Sequence, residues 1–321
     1  MKGLSLTVVI PTYNRKYILE KCLNALFDQT CSKSDYEIIV IDDGSTDGTK
    51  EVVASMINSS PCKIRYFEKK HKGPAAARNV GIKNAEGEII LFIGDDIIAA
   101  PTLLEEHYKW HRQYPDDNVA IVGFVTWSPE IKITPFMKWL ENGGPQFHFW
   151  QIKDKIEIDE PKYFYTANLS LKRKFLLEND GFFMEDFPYA ACEDIELGYR
   201  LKKMGMILKF NKNAAGYHFH PINLNKYCRR MLYAGSSLVI LSNKLPESFS
   251  ADTPKSSLIK NIVKYSYPII TNLISFLDYY FGISFYSFYG KITDYYKYEG
   301  IKKRALGLKM DRALSITAIK K

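Results

Sequence analysis

Ile38–Thr49 reads IIVIDDGSTDGT. Four apolar, mostly β-branched residues fit a buried strand, and Asp42 and Asp43 stand where that strand should end. Gly44, Ser45 and Gly48 then turn the chain towards a helix beginning near Thr49. In an open α/β sheet, ligands bind beyond the carboxyl ends of the strands. The run therefore sets acid where a ligand would sit. It lacks the glycine spacing of a dinucleotide-binding loop, and carboxylates facing a phosphate would repel it. They suit sugar hydroxyls, a base-edge N–H or a metal.

The flanking segments extend the alternation. Leu6–Ile10 reads as a first strand, ended by Pro11, with Asn14 placed to cap a helix whose apolar stripe is Ile18, Leu19, Cys22, Leu23, Leu26 and Phe27. Ile64–Phe67 is a short strand, Gly73-Pro74 opens a helix over Ala75–Asn84, and Glu88–Ile93 is a strand that again ends in acid, Asp95-Asp96. Strand alternating with helix predicts an α/β fold with a mostly parallel central sheet and flanking helices. Past residue 100 the pattern predicts helices over Leu103–Tyr114, Thr134–Leu140, Phe175–Asn179 and Glu193–Met204, and strands over Ala120–Trp127 and Tyr163–Leu171.

The chain has 321 residues, a formal charge of +8 and a pI near 9.0. A basic balance favours anionic partners, namely nucleotides, nucleic acid or an acidic membrane; a basic solvated face is the plainer alternative. The five scattered cysteines show no metal spacing and read as reduced thiols of a cytosolic protein. The short apolar run after Met1-Lys2 does not read as a signal peptide.

The last third is expected to be a helical extension. Lys226–Asn243 looks helical, and Leu258–Tyr289 is a second helical segment. In it, Ile269, Ile270, Leu273, Ile274, Leu277 and Phe281 share one stripe, with Asn272, Ser275 and Asp278 away from it. Its polar content argues against a spanning helix. An amphipathic helix lying on a membrane is favoured over one packed on the rest of the chain or in a dimer. Lys302, Lys303, Arg304, Lys309 and Arg312 suit an acidic lipid surface.

Four acidic clusters carry the chemistry: Asp42-Asp43, Asp95-Asp96, Asp186 and Glu193-Asp194. The first two end strands that share one crevice, and crowded carboxylates call for a cation or ligand. A hard divalent ion shared with a substrate diphosphate meets that need. His218 and His220 alternate on an extended segment and so point the same way. Trp127, Trp139, Phe147 and Trp150 are either core residues or stacking platforms in a ligand cleft.

Together Val8–Arg15 (VVIPTYNR), the IDDGSTDGT run, Gly73–Asp96 (GPAAARNVGIKNAEGEIILFIGDD) and Cys192–Leu201 (CEDIELGYRL) occur in the order seen in family 2 glycosyltransferases. The chain resembles that family, with its GT-A, Rossmann-like fold, over about residues 5 to 221. The resemblance implies a catalytic domain over 1–221, with a nucleotide-sugar half to about residue 100, and a helical region over 222–321. It implies an inverting enzyme using a UDP- or dTDP-linked sugar, a glycan or lipid-linked acceptor, Mn²⁺ or Mg²⁺, and no nucleic acid. The protein would sit on the cytoplasmic face of the cell membrane, with homo-oligomers possible.

By the same resemblance, Pro11, Tyr13, Asp42, Asp43, Arg78 and Asp95 map to the nucleotide. Asp96, with His218 and His220, maps to the metal, and Asn168 and Trp150 to donor and acceptor. Glu193-Asp194 matches the pair whose Asp is the base, the bland alternative being helix N-terminal charge stabilisation. The chain departs from the family's D-x-D pattern at Gly94, where the first Asp would stand. Two rivals are a nucleotidyltransferase, which should carry a glycine-rich phosphate loop near the first strand, and a non-catalytic membrane scaffold.

Overall fold

The computed structural model describes residues 5–146, 149–249 and 259–308. Strand β1 (Leu6–Thr12) is followed by α1 (Lys16–Phe27), β2 (Tyr36–Asp42), α2 (Thr49–Ser59), β3 (Lys63–Glu68), α3 (Pro74–Asn84) and β4 (Ile89–Ile93). Next come β5 (Ile97–Ala99), α4 (Leu103–Gln113), β6 (Val119–Trp127), α5 (Pro135–Glu141), β7 (Glu157–Ile158) and β8 (Asn168–Lys172). The chain ends with α6 (Arg173–Glu178), α7 (Glu193–Lys203), β9 (Ile207–His218), α8 (Leu224–Lys244), α9 (Ile259–Phe281) and α10 (Tyr286–Ala305).

One mixed sheet runs in the order β3-β2-β1-β4-β8-β6-β9-β5, with β7 on β9. β3, β2, β1 and β4 are parallel, as strand–helix alternation requires. β2 and β4 are buried along their whole length, which explains their near-continuous Ile, Val, Leu and Phe. The register sets Thr12 opposite Asp42, so the ends of β1 and β2 are level. Beyond β4 the sheet changes character: β8 is antiparallel to both β4 and β6, while β6 and β9 are parallel. His218 at the end of β9 lies opposite both Trp127 of β6 and Ile97 of β5.

Several expectations change. β9 and β5 are not legible from hydropathy: in β9 a register shift opposite Gly123/Phe124 interrupts alternation. Residues 163–167 are not strand; a 3-10 turn, Pro161–Tyr163, precedes β8. Asn14 does not cap α1. It adopts a left-handed φ of 53°, and its Oδ1 accepts from Thr46 N. The first turn of α1 is instead met by Asp47, whose carboxylate accepts from Lys16 N and also from Thr49 N at the start of α2.

The chain forms two compact units. The first holds the sheet. The second combines Lys132–Gln146 and Phe187–Cys192 with Pro221–Lys321, so α5 belongs with the C-terminal helices. Within it α8 and α10 approach at backbone distance. A Cβ on Gly235 would stand 2.0 Å from Lys297 O, and one on Gly300 would stand 1.9 Å from Leu232 O. The expected single segment 258–289 is broken: α9 stops at Phe281, Gly282 takes φ 68°, and α10 begins at Tyr286.

Candidate active site

Two side-chain clusters form at the carboxyl ends of the parallel strands. The first starts at Thr12 on β1. Its hydroxyl donates to Asp95 Oδ2 at 2.8 Å, and Arg15 Nη1 donates to Asp95 Oδ1 at 3.0 Å and Asp96 Oδ2 at 2.7 Å. The same Asp96 oxygen lies 3.2 Å from His218 Nε2 and 3.5 Å from His220 Nδ1. The two imidazoles stack 5.4 Å apart, and His218 also stacks on the buried Trp127. Phe219 N donates to Asp96 O, which fixes the loop that carries both histidines. Gly94 has a local reason as well: a Cβ there would stand 2.9 Å from Asp96 Oδ1.

Electrostatics separate the two neighbouring acids. Burial and the adjacent Asp96 push the Asp95 carboxyl up to about 6, against Arg15 and Thr12. Burial also disfavours charge on Asp96, but His218, Arg15 and His220 outweigh it and hold that carboxyl well below its ordinary value. Asp96, His218 and His220 offer one oxygen and two nitrogens within 4.8 Å of one another. A carboxylate with two imidazoles is a donor set that can hold a divalent ion. The guanidinium already held on Asp96 is the mark of a place built for positive charge.

The second cluster joins α3 to α7. Asp43, buried at the end of β2, accepts from Lys69 Nζ, Lys72 N and Gly73 N, and His71 Nδ1 lies 2.8 Å from its Oδ2. It thereby fixes the loop that opens α3. Arg78 on α3 then donates to Glu193 Oε1 at 3.0 Å, with its guanidinium over the Phe183 ring. Glu193 is buried, and its Oε2 finds no partner among the described residues. Asp194 follows on the first turn of α7, its Oδ1 accepting from Ile195 N. Burial first, and then Glu193, push the Asp194 carboxyl up to about 7, against Arg78.

Several expected contacts are redirected. Asp42 is buried and accepts from Ser45 N and Tyr66 Oη, so it braces the turn after β2 and faces no open crevice. Asp43 is likewise turned into the protein, onto residues 69–73. Arg78 is not an exposed helix arginine; it is spent on Glu193. Asn168 is fully buried; its amide donates to Ala214 O and Phe124 O, and its Oδ1 faces His107 Nε2. Trp127 is a wall behind His218, and Trp139 packs on Phe136 and Tyr289 in the helical unit. Phe147 lies outside the described residues.

Tyr13 and Trp150 keep exposed rings, Tyr13 stacked on His71 at 4.2 Å, and Pro11 lies beside Ile41 in the β1–β2 register. Asp186 is exposed. Sequence reasoning missed Arg15 and Thr12, although both lie in the VVIPTYNR segment. A cavity of about 690 Å³ lies elsewhere: Glu86, Ile89, Lys172 and Arg173 line it at the opposite ends of β4 and β8. It has none of these groups.

Residues 7–181 match the model of glycosyl transferase family 2. The chain belongs to that family. Among curated members, it is 28% identical over 275 residues to validoxylamine A glucosyltransferase of Streptomyces hygroscopicus subsp. limoneus, covering 77% of this chain and 59% of that protein. It is 37% identical over 191 residues to poly(ribitol-phosphate) beta-N-acetylglucosaminyltransferase TarS of Staphylococcus aureus, covering 58% of this chain and 31% of TarS. The chain thus spans less than two thirds of these relatives' length. Two solved structures share the fold, each at 18% identity and over 96% of this chain. One is mannosyltransferase PcManGT from Pyrobaculum calidifontis with GDP-Man and Mn²⁺, at TM-score 0.64 over 89% of its chain. The other is S. aureus TarS 1-349 with UDP-GlcNAc, at TM-score 0.55 over 93% of its chain.

Proposed function

We propose that the chain is an inverting, metal-dependent glycosyltransferase, taking a sugar from a nucleoside-diphosphate donor to a hydroxyl of a lipid-linked or growing surface glycan at the cytoplasmic face of the membrane. A UDP-linked donor is the first choice, because the TarS relative is solved with UDP-GlcNAc; a dTDP-linked one is the second. The observation that carries this reading is the Asp96–His218–His220 cradle, set just past the end of a parallel strand, with the Arg15 guanidinium paired to Asp96. A divalent ion bound there supplies charge neutralisation on the departing diphosphate.

The nucleoside lies against Pro11 and the exposed ring of Tyr13, in a place walled by the loop that Asp43 holds and Asp42 braces. Asp95 belongs to the nucleotide site, where it holds Thr12 and Arg15 in place. Asp194 is the general base. Its carboxylate takes the proton of the acceptor hydroxyl as that oxygen forms a bond to the anomeric carbon. The bond from that carbon to the diphosphate breaks, the nucleoside diphosphate leaves, and the configuration inverts. Glu193 holds Arg78 and keeps Asp194 basic by adding negative charge beside it. Trp150 offers an exposed ring to the acceptor.

A panel of UDP- and dTDP-sugars, each assayed for nucleotide release with Mn²⁺ and with a chelator, tests the proposal. Release with one donor that stops on chelation is the expected result. No release from any donor, together with no nucleotide binding by calorimetry, would favour the non-catalytic scaffold.

A further inference from the structure

Helix α9 is turned inside out with respect to a soluble helix. Its polar residues Thr271, Ser275 and Asp278 are buried. Asp278 fixes that orientation, its Oδ1 accepting from Phe136 N at 2.8 Å and from the buried Tyr289 hydroxyl. Asn272 is tied to α8 through Asn225. The opposite face, Ile269, Leu273, Phe276 and Tyr280, recurs every three or four residues and is exposed: Ile269 by 71%, Leu273 by 57% and Tyr280 by 58%. The patch continues past the end of the helix through Phe281, 67% exposed, and Ile283, and into α10 through Tyr286 and Phe288.

Water is a poor solvent for such a surface, and a contiguous apolar patch of this kind marks an interaction site. The helix-to-helix contacts of this unit are already made on the other faces, at Gly235, Gly300 and Asp278. We infer that the α9–α10 face is a membrane-docking surface that lies in the plane of a bilayer with anionic headgroups. Among the described residues no helix is long and apolar enough to cross a membrane, so the face rests on the bilayer and does not span it.

Charge argues for a bilayer over a second copy of the chain. Lys132 stands over the Tyr279 ring, and its ammonium donates to Tyr279 O. On α10, Lys291 and Lys302 are exposed on the side that carries Phe288 and Tyr298, and Arg304 is exposed near its end. Tyrosines and long cations around an apolar centre match the headgroup layer, the phenols at its level and the ammonium groups on lipid phosphates. Two copies of a +8 chain joined through these cations would repel.

The test is co-sedimentation of the full chain with phosphatidylcholine vesicles and with vesicles of phosphatidylcholine and phosphatidylglycerol in equal parts. Binding to the anionic vesicles is expected. Leu273→Glu with Phe281→Glu should weaken it by about a hundredfold, and Lys291→Glu with Lys302→Glu by about tenfold on anionic vesicles only. Ile269→Ser with Leu273→Ser serves as a milder pair, with circular dichroism to confirm folding. Three results would overturn the inference: no vesicle binding, binding unaffected by either apolar pair, or a dimer in sedimentation velocity that those pairs dissociate. No donor sugar is needed, so a failure here leaves the proposed reaction standing.

Discussion

Arg15 Nη1 stands 2.7 Å from Asp96 Oδ2, the oxygen that His218 and His220 also approach. A tethered guanidinium thus occupies part of the space a divalent ion needs. Binding of the ion must release Arg15 from Asp96, and a released guanidinium beside Asp95 is suited to the donor's diphosphate. Arg15→Met should therefore bind Mn²⁺ more tightly in the absence of nucleotide, by about tenfold, and nucleoside diphosphate more weakly in the presence of Mn²⁺. Calorimetry measures both. Weaker Mn²⁺ binding in the variant would mean that Arg15 orders the cradle and does not compete for it.

Asp194 sets the pH dependence. Its carboxyl is pushed up to about 7 by burial and by Glu193, and only the ionised form accepts a proton. The specificity constant should be flat above pH 7 and fall about tenfold per unit below it. Glu193→Gln removes the neighbouring negative charge and should move that limb to lower pH. A limb that stays in place assigns it to another group.

Asn168 is a structural brace. Asn168→Ala would deprive Phe124 O, Ala214 O and His107 Nε2 of the partner that Asn168 supplies inside the sheet. A stability loss on the order of 2–4 kcal/mol is expected in chemical denaturation, with KM for donor little changed in the folded fraction. A large KM effect at normal stability would restore Asn168 to the substrate.

Behind Asn168 lies a chain of neutral groups. Asn168 already donates from its amide nitrogen, so His107 Nε2 donates to its Oδ1, Ser170 donates to His107 Nδ1, and His111 Nε2 donates to Ser170. Burial pushes His107 down to about 4 and His111 down to about 3. The unfolded chain binds protons at these residues below about pH 6.5, and the folded chain does not. Stability from this source is complete above pH 6.5 and is lost as pH falls towards 4. Asp95 and Asp194, raised to about 6 and about 7, act in the opposite sense over the same window. The test is therefore a difference: between about pH 6.5 and 4, His111→Gln, which keeps the donor, should lose less melting temperature than the native chain.

The strand ends were legible because hydropathy, acid and turn residues coincide there: Ile38–Thr49 and Ile89–Asp96 name β2, β4 and their carboxylates. The protein partners of those carboxylates were not legible. Asp42 and Asp43 read as nucleotide groups, and the structure adds Tyr66, Lys69 and Gly73, remote in sequence, as their partners. Arg15 escaped for the same reason, its partners lying some eighty positions downstream. In α9 the stripe was visible in part: Ile269, Ile270, Leu273 and Phe281 are exposed, but Ile274 is buried beside Thr271, Ser275 and Asp278, and a period gives only the two faces. The tertiary anchor on Asp278 decides which one points outward.

The central claim is that Asp194 activates the acceptor. Turnover of the donor found in the panel, measured for the native chain and for Asp194→Asn with Mn²⁺ at saturation, tests it most directly. Asparagine keeps the shape and cannot take the proton, so turnover should fall by about 10²–10⁴ while Mn²⁺-dependent nucleotide binding is retained. Unchanged turnover in Asp194→Asn would contradict the account.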